Sequence, residues 1–366
     1  MRIGCVIASL GSGGAERVMV SLCSAWAARG DDVTLFTFDD GRRDFHAAPA
    51  GVTRVALDIT AASTSSLGAL CTNAARLRTL RRALRSAAPD VIVSFTDCTN
   101  VSTLLATLGL NIPVVISERT DPRRHEIGVA WSTLRRVSYR WATGLVVQTE
   151  RVRPWAESHV SPARVHVIGN PLRDVAAPPL TAGERSPMIS AVGRLVPAKG
   201  FDTLLRAFAL VHATHPAWRL VISGDGPLRS SLEAQIHAFG LDNVVSLPGR
   251  TCTVDEVLAD SAVFVLSSRY EGFPNVLLEA MASGCACVAT DCDSGPSDLL
   301  EHDALGLLVP VDDAVALAGA MRRVLDDAAF RSRLGESARA STRRFALART
   351  LHAWDDVFDA TRDRAA

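Results

Sequence analysis

Lysine is almost absent from this chain: of 39 basic side chains, 38 are arginine and a single one, Lys199, is lysine. Aromatic side chains are also scarce, at 5% of the sequence with two tyrosines. With a formal net charge of zero and no aromatic platform beside the arginines, nucleic acid is not an expected partner. No run of about 18 uncharged apolar residues occurs, which excludes a membrane-spanning helix. The opening MRIGCVIASLGSGG holds one arginine and a short apolar run that passes into an amphipathic segment. It reads as a first strand, not as a signal peptide. The eight cysteines (5, 23, 71, 98, 252, 285, 287 and 292) have no pairing rhythm, which favours reduced thiols and a cytoplasmic setting. Their one cluster, CACVATDC, lacks CxxC spacing and a fourth ligand, and reads as a buried strand of small core residues.

What is present describes a two-part α/β protein. A chain of 366 residues with 48% hydrophobic and 21% charged side chains suits two domains of roughly 150 to 200 residues each. Residues 1–180 carry 21 basic against 15 acidic side chains, and 181–366 carry 18 against 24, so the two halves face different neighbours. Strand-like runs IGCVIA, DVTLFTF, DVIVSF, PVVIS and GLVVQT alternate with helical patterns in the first half. After a linker rich in proline and alanine (171–187) the rhythm restarts with MISAVG, WRLVISG, NVVSLPG, AVFVLSS, ACVATD and GLLVP. Such alternation predicts two parallel sheets wrapped by helices. Two Rossmann-like domains facing across a cleft are expected, with the largest ligand at the carboxyl ends of their strands. The expected division is 1–172, joined by a returning C-terminal helix at about 347–366, and 173–346.

Four short stretches carry chemistry. GSGGAE (11–16) follows a strand and opens a helix, but Glu16 stands where a dinucleotide fingerprint needs its third glycine, and no P-loop lysine follows. Two readings of Gly13 and Gly14 stay open: a tight turn that needs glycine's φ range, or a helix entry whose N–H groups face an anion. GDGP (224–227) is a second turn of this kind. In GRLVPAKG, Arg194 follows a strand and Lys199 lies near the entry of the next helix. A planar guanidinium and a compact ammonium are different tools, and together they suit a diphosphate. In EGFPNVLLE, Glu271 precedes a helix and Glu279 lies inside it, with Pro274 suited to the first turn. Eight residues of separation exclude a tight acid/base pair on one helical face but allow a grip on two parts of one long ligand. The N–H groups of Asn275, Val276 and Leu277 are placed to meet its phosphates.

GRLxxxKG followed about 75 residues later by Ex7E, in a double-Rossmann chain that opens with a glycine-rich loop, resembles the retaining nucleotide-sugar glycosyltransferases of family four, with the GT-B fold. The stretches ASLGSGGAERV, SFTDCTN and ISERTD also resemble the bacterial subgroup that extends polyprenyl-diphosphate-linked oligosaccharides or exopolysaccharide units. The resemblance implies that Arg194 and Lys199 hold the donor diphosphate, Glu279 the ribose hydroxyls, and Glu271 the transferred sugar. Arg250 and Thr251 would border the base, with Gly193, Gly224, Phe273 and Pro274 lining the donor and Gly13 and Gly14 approaching from the other domain. Where relatives often have a histidine, this chain has Arg119, which cannot act as a base at neutral pH. Arg119 is expected to stabilise phosphate charge and Glu118 to orient the acceptor or sugar. Retention of configuration, a UDP-sugar donor and a lipid-linked acceptor follow from the resemblance alone.

No metal is expected, because DCD (291–293) follows a strand among small residues and two cations already face the phosphates. Arg76, Arg78, Arg81, Arg82 and Arg85 accompany Leu77, Leu80 and Leu84, and a second stretch holds Arg123, Arg124, Trp131, Arg135, Arg136, Arg140 and Trp141. Basic amphipathic helices bind anionic lipid, so a peripheral position on the inner face of the plasma membrane is expected. A solvated helix face with leucines in the core is the competing reading. A soluble acceptor, or a non-catalytic nucleotide-binding module, stays open as an alternative function.

Overall fold

The computed structural model describes residues 1–60, 66–173, 185–250 and 253–362. The chain divides into two compact units, Met1–Pro171 with Leu347–Ala366, and Leu172–Ala346.

The first unit is built on seven strands: β1 (Arg2–Ile7), β2 (Asp32–Thr37), β3 (Val52–Ala56), β4 (Val91–Phe95), β5 (Val114–Ser117), β6 (Gly144–Val147) and β7 (Val165–Val167). All pair in parallel, in the order β3-β2-β1-β4-β5-β6-β7. The inner strands VIVSF, VVIS and GLVV are buried at every position, as a sheet covered on both faces requires. Sequence patterning missed β3 and β7. Both are edge strands, and β3 is nowhere fully buried, so neither shows the continuous apolar run that marks a central parallel strand.

The helix Leu347–Arg362 belongs to this unit and buries Trp354, Val357 and Phe358 in its core. Trp354 meets Trp26 edge-on, with ring centroids 5.9 Å apart and planes at 85°, a favoured aromatic geometry. Arg29 adds an ion pair: its Nη1 donates to both oxygens of the Asp355 carboxylate at 2.8 Å.

The second unit has six parallel strands: β8 (Ser186–Val192), β9 (Arg219–Ser223), β10 (Val245–Gly249), β11 (Ser261–Leu266), β12 (Ala286–Thr290) and β13 (Leu307–Val309), in the order β10-β9-β8-β11-β12-β13. Cys285, Cys287 and Cys292 are fully buried. Burial pushes the Cys285 thiol up to about 11 and the Cys292 thiol up to about 12, as apolar surroundings do. Among the described residues, no group of three or more His, Cys, Asp or Glu is placed to hold a metal, and no helix is long and apolar enough to cross a membrane.

In each sheet the winding reverses once, between β1 and β4 and between β8 and β11. A crevice opens at the carboxyl ends of such neighbouring strands, and ligands of doubly wound folds bind there.

Candidate active site

In the second unit the reversal point joins two motifs that lie far apart in sequence. The segment after β8 ends in a single 3₁₀ turn, Pro197–Lys199, and Gly200 then enters the helix Phe201–His212 with φ 61°. A side chain at Gly200 would strike the Ser267 carbonyl oxygen, so glycine is required there by both conformation and space. The turn is pinned to the segment after β11: the Ser267 hydroxyl donates to the Lys199 carbonyl at 2.8 Å, and the Arg269 N–H donates to the Ala198 carbonyl at 2.7 Å. A side chain at Gly193 would meet the aliphatic stem of Lys199, and the Lys199 Nζ donates to Glu271 Oε1 at 2.6 Å. The Ser268 hydroxyl donates to the same oxygen at 2.6 Å. Glu271 is only 9% exposed, so Lys199 serves as its counter-ion. Arg194 is exposed and forms no ion pair among the described residues.

Gly193 and Gly224 meet backbone to backbone. A Cβ on Gly224 would overlap the Gly193 carbonyl oxygen, and the Gly193 N–H bonds Ser223 O at 3.0 Å. Glu279 lies on the helix Asn275–Ala282 and is buried. Its partner, which sequence reasoning passed over inside the linker, is Arg173: Nε lies 3.3 Å from Glu279 Oε1. Phe273 is buried against Phe345. Pro274 sits one position ahead of the helix, not within its first turn. Two of the three N–H groups expected to face phosphates are occupied: Asn275 donates to Phe273 O at 2.9 Å, and Leu277 to Pro274 O at 2.9 Å. A tight turn into the helix explains the correction, since it closes bonds that an open N-terminus would leave to a ligand. Val276 is the second residue of that helix. Arg250 is exposed just past β10. Thr251 lies outside the described residues.

In the first unit a second polar group collects at strand ends. Asp97 follows β4, Glu118 and Arg119 follow β5, Gln148 follows β6 and Asn170 follows β7. Thr96 holds φ 74°, a strained conformation for a β-branched residue and of a kind that clusters at functional sites. Asp97 then accepts the Cys98 N–H at 2.6 Å and meets His125 Nδ1 at 2.8 Å. Glu118 is 3% exposed. It accepts the Tyr139 hydroxyl at 2.5 Å, and Tyr139 is itself held by Asn100 at 3.3 Å. Burial pushes the Glu118 carboxyl up to about 7, against the opposing pull of the Tyr139 hydrogen bond. Arg119 has neutral partners only: Ser117 Oγ at 3.2 Å, Asn170 Oδ1, and the Phe95 ring 4.1 Å below the guanidinium. Its Nε is shielded from solvent and unpartnered, and burial pulls the group down to about 9, still charged at neutral pH.

The glycine loop differs from the simplest expectation. Gly13 caps the helix Gly14–Ala28 with extended backbone, and the Glu16 carboxylate folds back over it, where a Cβ would collide. Glu16 bonds its own N–H, and burial raises its pKa. The residue that spoils a dinucleotide fingerprint therefore supplies the anion at that helix entry.

Family models for "Glycosyl transferase 4-like domain" and "Glycosyl transferases group 1" match residues 13–171 and 173–341. A relative from Campylobacter jejuni is 30% identical over 356 residues, 97% of each chain. Its name is GalNAc-alpha-(1->4)-GalNAc-alpha-(1->3)-diNAcBac-PP-undecaprenol alpha-1,4-N-acetyl-D-galactosaminyltransferase. This chain belongs to the GT-B glycosyltransferases of that family. The glycosyltransferase also shares its fold with solved structures. Anabaena HepE in complex with UDP has a TM-score of 0.82 at 20% identity, covering 98% of this chain and all of that one. Sucrose-phosphate synthase from Thermosynechococcus elongatus has 0.83 at 20% identity, covering 98% and 99%.

Two basic stretches of the glycosyltransferase need correction as lipid-facing surfaces. Arg81 donates to the Ala106 carbonyl at 2.8 Å and to Leu108 O. Arg135 is buried over the Trp155 ring near Glu118, and Arg123 forks onto the fully buried Asp121. These three arginines serve internal structure, because buried carbonyls and carboxylates need donors. Arg78, Arg82, Arg85, Arg136 and Arg140 remain exposed.

Proposed function

We propose that this glycosyltransferase moves a hexose or N-acetylhexosamine from a UDP-sugar, with retention, to a polyprenyl-diphosphate-linked glycan in bacterial oligosaccharide or exopolysaccharide assembly. The observation that carries the reading is the 2.6 Å contact of Lys199 with Glu271 at the strand reversal, where a doubly wound fold binds its ligand. The lipid-linked acceptor rests on the undecaprenol-linked substrate in the relative's name, and the UDP donor on the ligand of the HepE structure.

In this reading Arg194 and Lys199 receive the diphosphate, Glu271 the sugar and Glu279 the ribose, while Arg250 and Thr251 border the base. The bond from the sugar's anomeric carbon to the diphosphate oxygen breaks, and its electron pair stays on that oxygen. Fixed cations stabilise the charge as it forms, so no metal is required. The acceptor hydroxyl attacks the same face and its proton passes to the departing phosphate oxygen. Arg119 supports negative charge and Glu118 orients the acceptor. Exposed Val129, Leu134, Val137 and Trp141 beside Arg136 and Arg140 form an apolar and basic surface suited to an anionic membrane, which supports a peripheral position on the cytoplasmic face in this reading.

The test is incubation of the enzyme with radiolabelled UDP-hexoses and UDP-N-acetylhexosamines, with undecaprenyl-diphosphate-linked and free oligosaccharides, with and without EDTA. Transfer of an α-linked sugar to the lipid-linked acceptor, undiminished by EDTA, is expected. Transfer only to free oligosaccharide would overturn the acceptor, and no transfer with any UDP-sugar would overturn the donor.

A further inference from the structure

The guanidinium of Arg173 joins two carboxylates from different helices. Nη1 donates to Asp255 Oδ2 at 2.7 Å and Nη2 donates to the other oxygen of Asp255. On its other edge, Nε stands 3.3 Å from Glu279 Oε1, and Nη2 stands 3.5 Å from Glu279 Oε2. The grip on Asp255 is that of a tight fork, while the contact with Glu279 is looser than charge-assisted bonds of 2.7 to 2.9 Å. Arg173 is therefore anchored on Asp255 and holds Glu279 by charge and direction. A carboxylate offers about four acceptor positions, so a guanidinium at this range does not exhaust them.

The anchor's location adds a second argument. Asp255 lies in the first turn of the helix Val254–Asp260, a few residues past Arg250, and Glu279 lies on the helix Asn275–Ala282. One side chain fixes both helices relative to each other. We propose that Arg173 is the positioning residue for ribose recognition: it holds the buried Glu279 carboxylate aimed, so that the site prefers ribonucleoside over deoxyribonucleoside diphosphates. This rests on the reading of Glu279 as the ribose-binding carboxylate. Without Arg173 the carboxylate loses the cation that Asp255 anchors beside it, and with it the contact that fixes its direction. Loss of that direction weakens its ability to accept from two adjacent hydroxyls. Lysine would be an incomplete replacement, because a point charge cannot fork between two carboxylates.

The experiment measures dissociation constants of UDP and 2′,3′-dideoxy-UDP by calorimetry for the full chain and for Arg173→Met, Arg173→Lys and Asp255→Asn, with a melting curve for each. Wild type is expected to prefer UDP by on the order of 10- to 100-fold, the worth of hydrogen bonds to a charged group. Arg173→Met should bring the two ligands within about 3-fold by weakening UDP alone, and Arg173→Lys should recover part of the preference. A wild type without preference would sink the ribose reading of Glu279, and this proposal with it. A preference kept intact in folded Arg173→Met would overturn the proposal and leave the ribose reading standing. Where Arg173→Met fails to fold, Asp255→Asn decides: a reduced preference supports the role of Arg173, and an unchanged one overturns it.

Discussion

The two units hold their site charges in opposite ways. In the second, Lys199 rests on Glu271 at 2.6 Å and Arg173 bridges Asp255 and Glu279. In the first, Arg119 is surrounded by a hydroxyl, an amide and an aromatic face, and Glu118 is buried against a phenol with Arg135 3.9 Å away. Paired charges cost the fold little and can exchange partners when a ligand arrives. A buried charge without a close partner is a standing cost, and a fold carries it where the opposite charge comes from outside. The second unit is thus built to trade contacts, and the first to receive them.

Three experiments break or sharpen this contrast. Lys199→Ala removes the exchangeable cation and should lower turnover by about 10²- to 10³-fold, or roughly 2.7 to 4 kcal/mol of transition-state stabilisation. Lys199→Arg should stay well below wild type, since the ammonium's stem takes the room that a side chain at Gly193 would need and a broad guanidinium does not occupy the same space. Steady-state rates with the UDP-sugar found active decide it, and near-normal turnover of Lys199→Ala would remove the residue from the mechanism.

Glu118 tests the first unit through pH. Its folded pKa of about 7 lies above the reference 4.5, so the folded state holds the proton more tightly than the unfolded state. The resulting stability is fully present below pH 4.5 and is lost as pH rises to about 7, on the order of 3 kcal/mol in all. Glu118→Gln cannot titrate, so the difference between the two proteins' melting curves should change across that window and be flat on either side. A constant difference would mean that folding does not raise the Glu118 pKa.

Arg119 gives the smallest effect and the most direct contrast. Arg119→Met keeps a polarisable contact with Phe95 and removes the unpaired charge, so stability should rise by about 1 kcal/mol while transfer falls. Loss of both would make Arg119 a structural residue.

The sheets were legible because their inner strands are unbroken apolar runs between helical patterns, and Lys199, Glu271, Glu118 and Arg119 were legible as polar residues at strand ends or within motifs. The contact of Lys199 with Glu271 was not, because it depends on β8 lying beside β11, and strand order is a tertiary property that local pattern does not carry. Gln148 could have been found by the same attention to carboxyl ends, since it stands just past the apolar run GLVV, whereas Asn170 follows β7, an edge strand that shows no such run. Arg173 was hidden by its surroundings: within a proline- and alanine-rich segment it resembled any solvated linker charge. Arg81, Arg123 and Arg135 were misplaced for the converse reason. A stretch rich in arginine looks uniformly basic in sequence, yet some of those side chains, on a helix or, for Arg123, in a turn, satisfy carbonyls or a carboxylate.

The contact between Trp26 and Trp354 sets an order of events at the ribosome. Trp26 precedes the second unit in the chain and Trp354 follows it, so the first half emerges with an aromatic socket that only the later helix Leu347–Arg362 can fill. The middle of the chain, which contains its whole sheet, can finish folding first. Until that helix appears, the apolar surface it covers in the first unit has no partner from it, and a chain cut short before the helix would keep that surface uncovered.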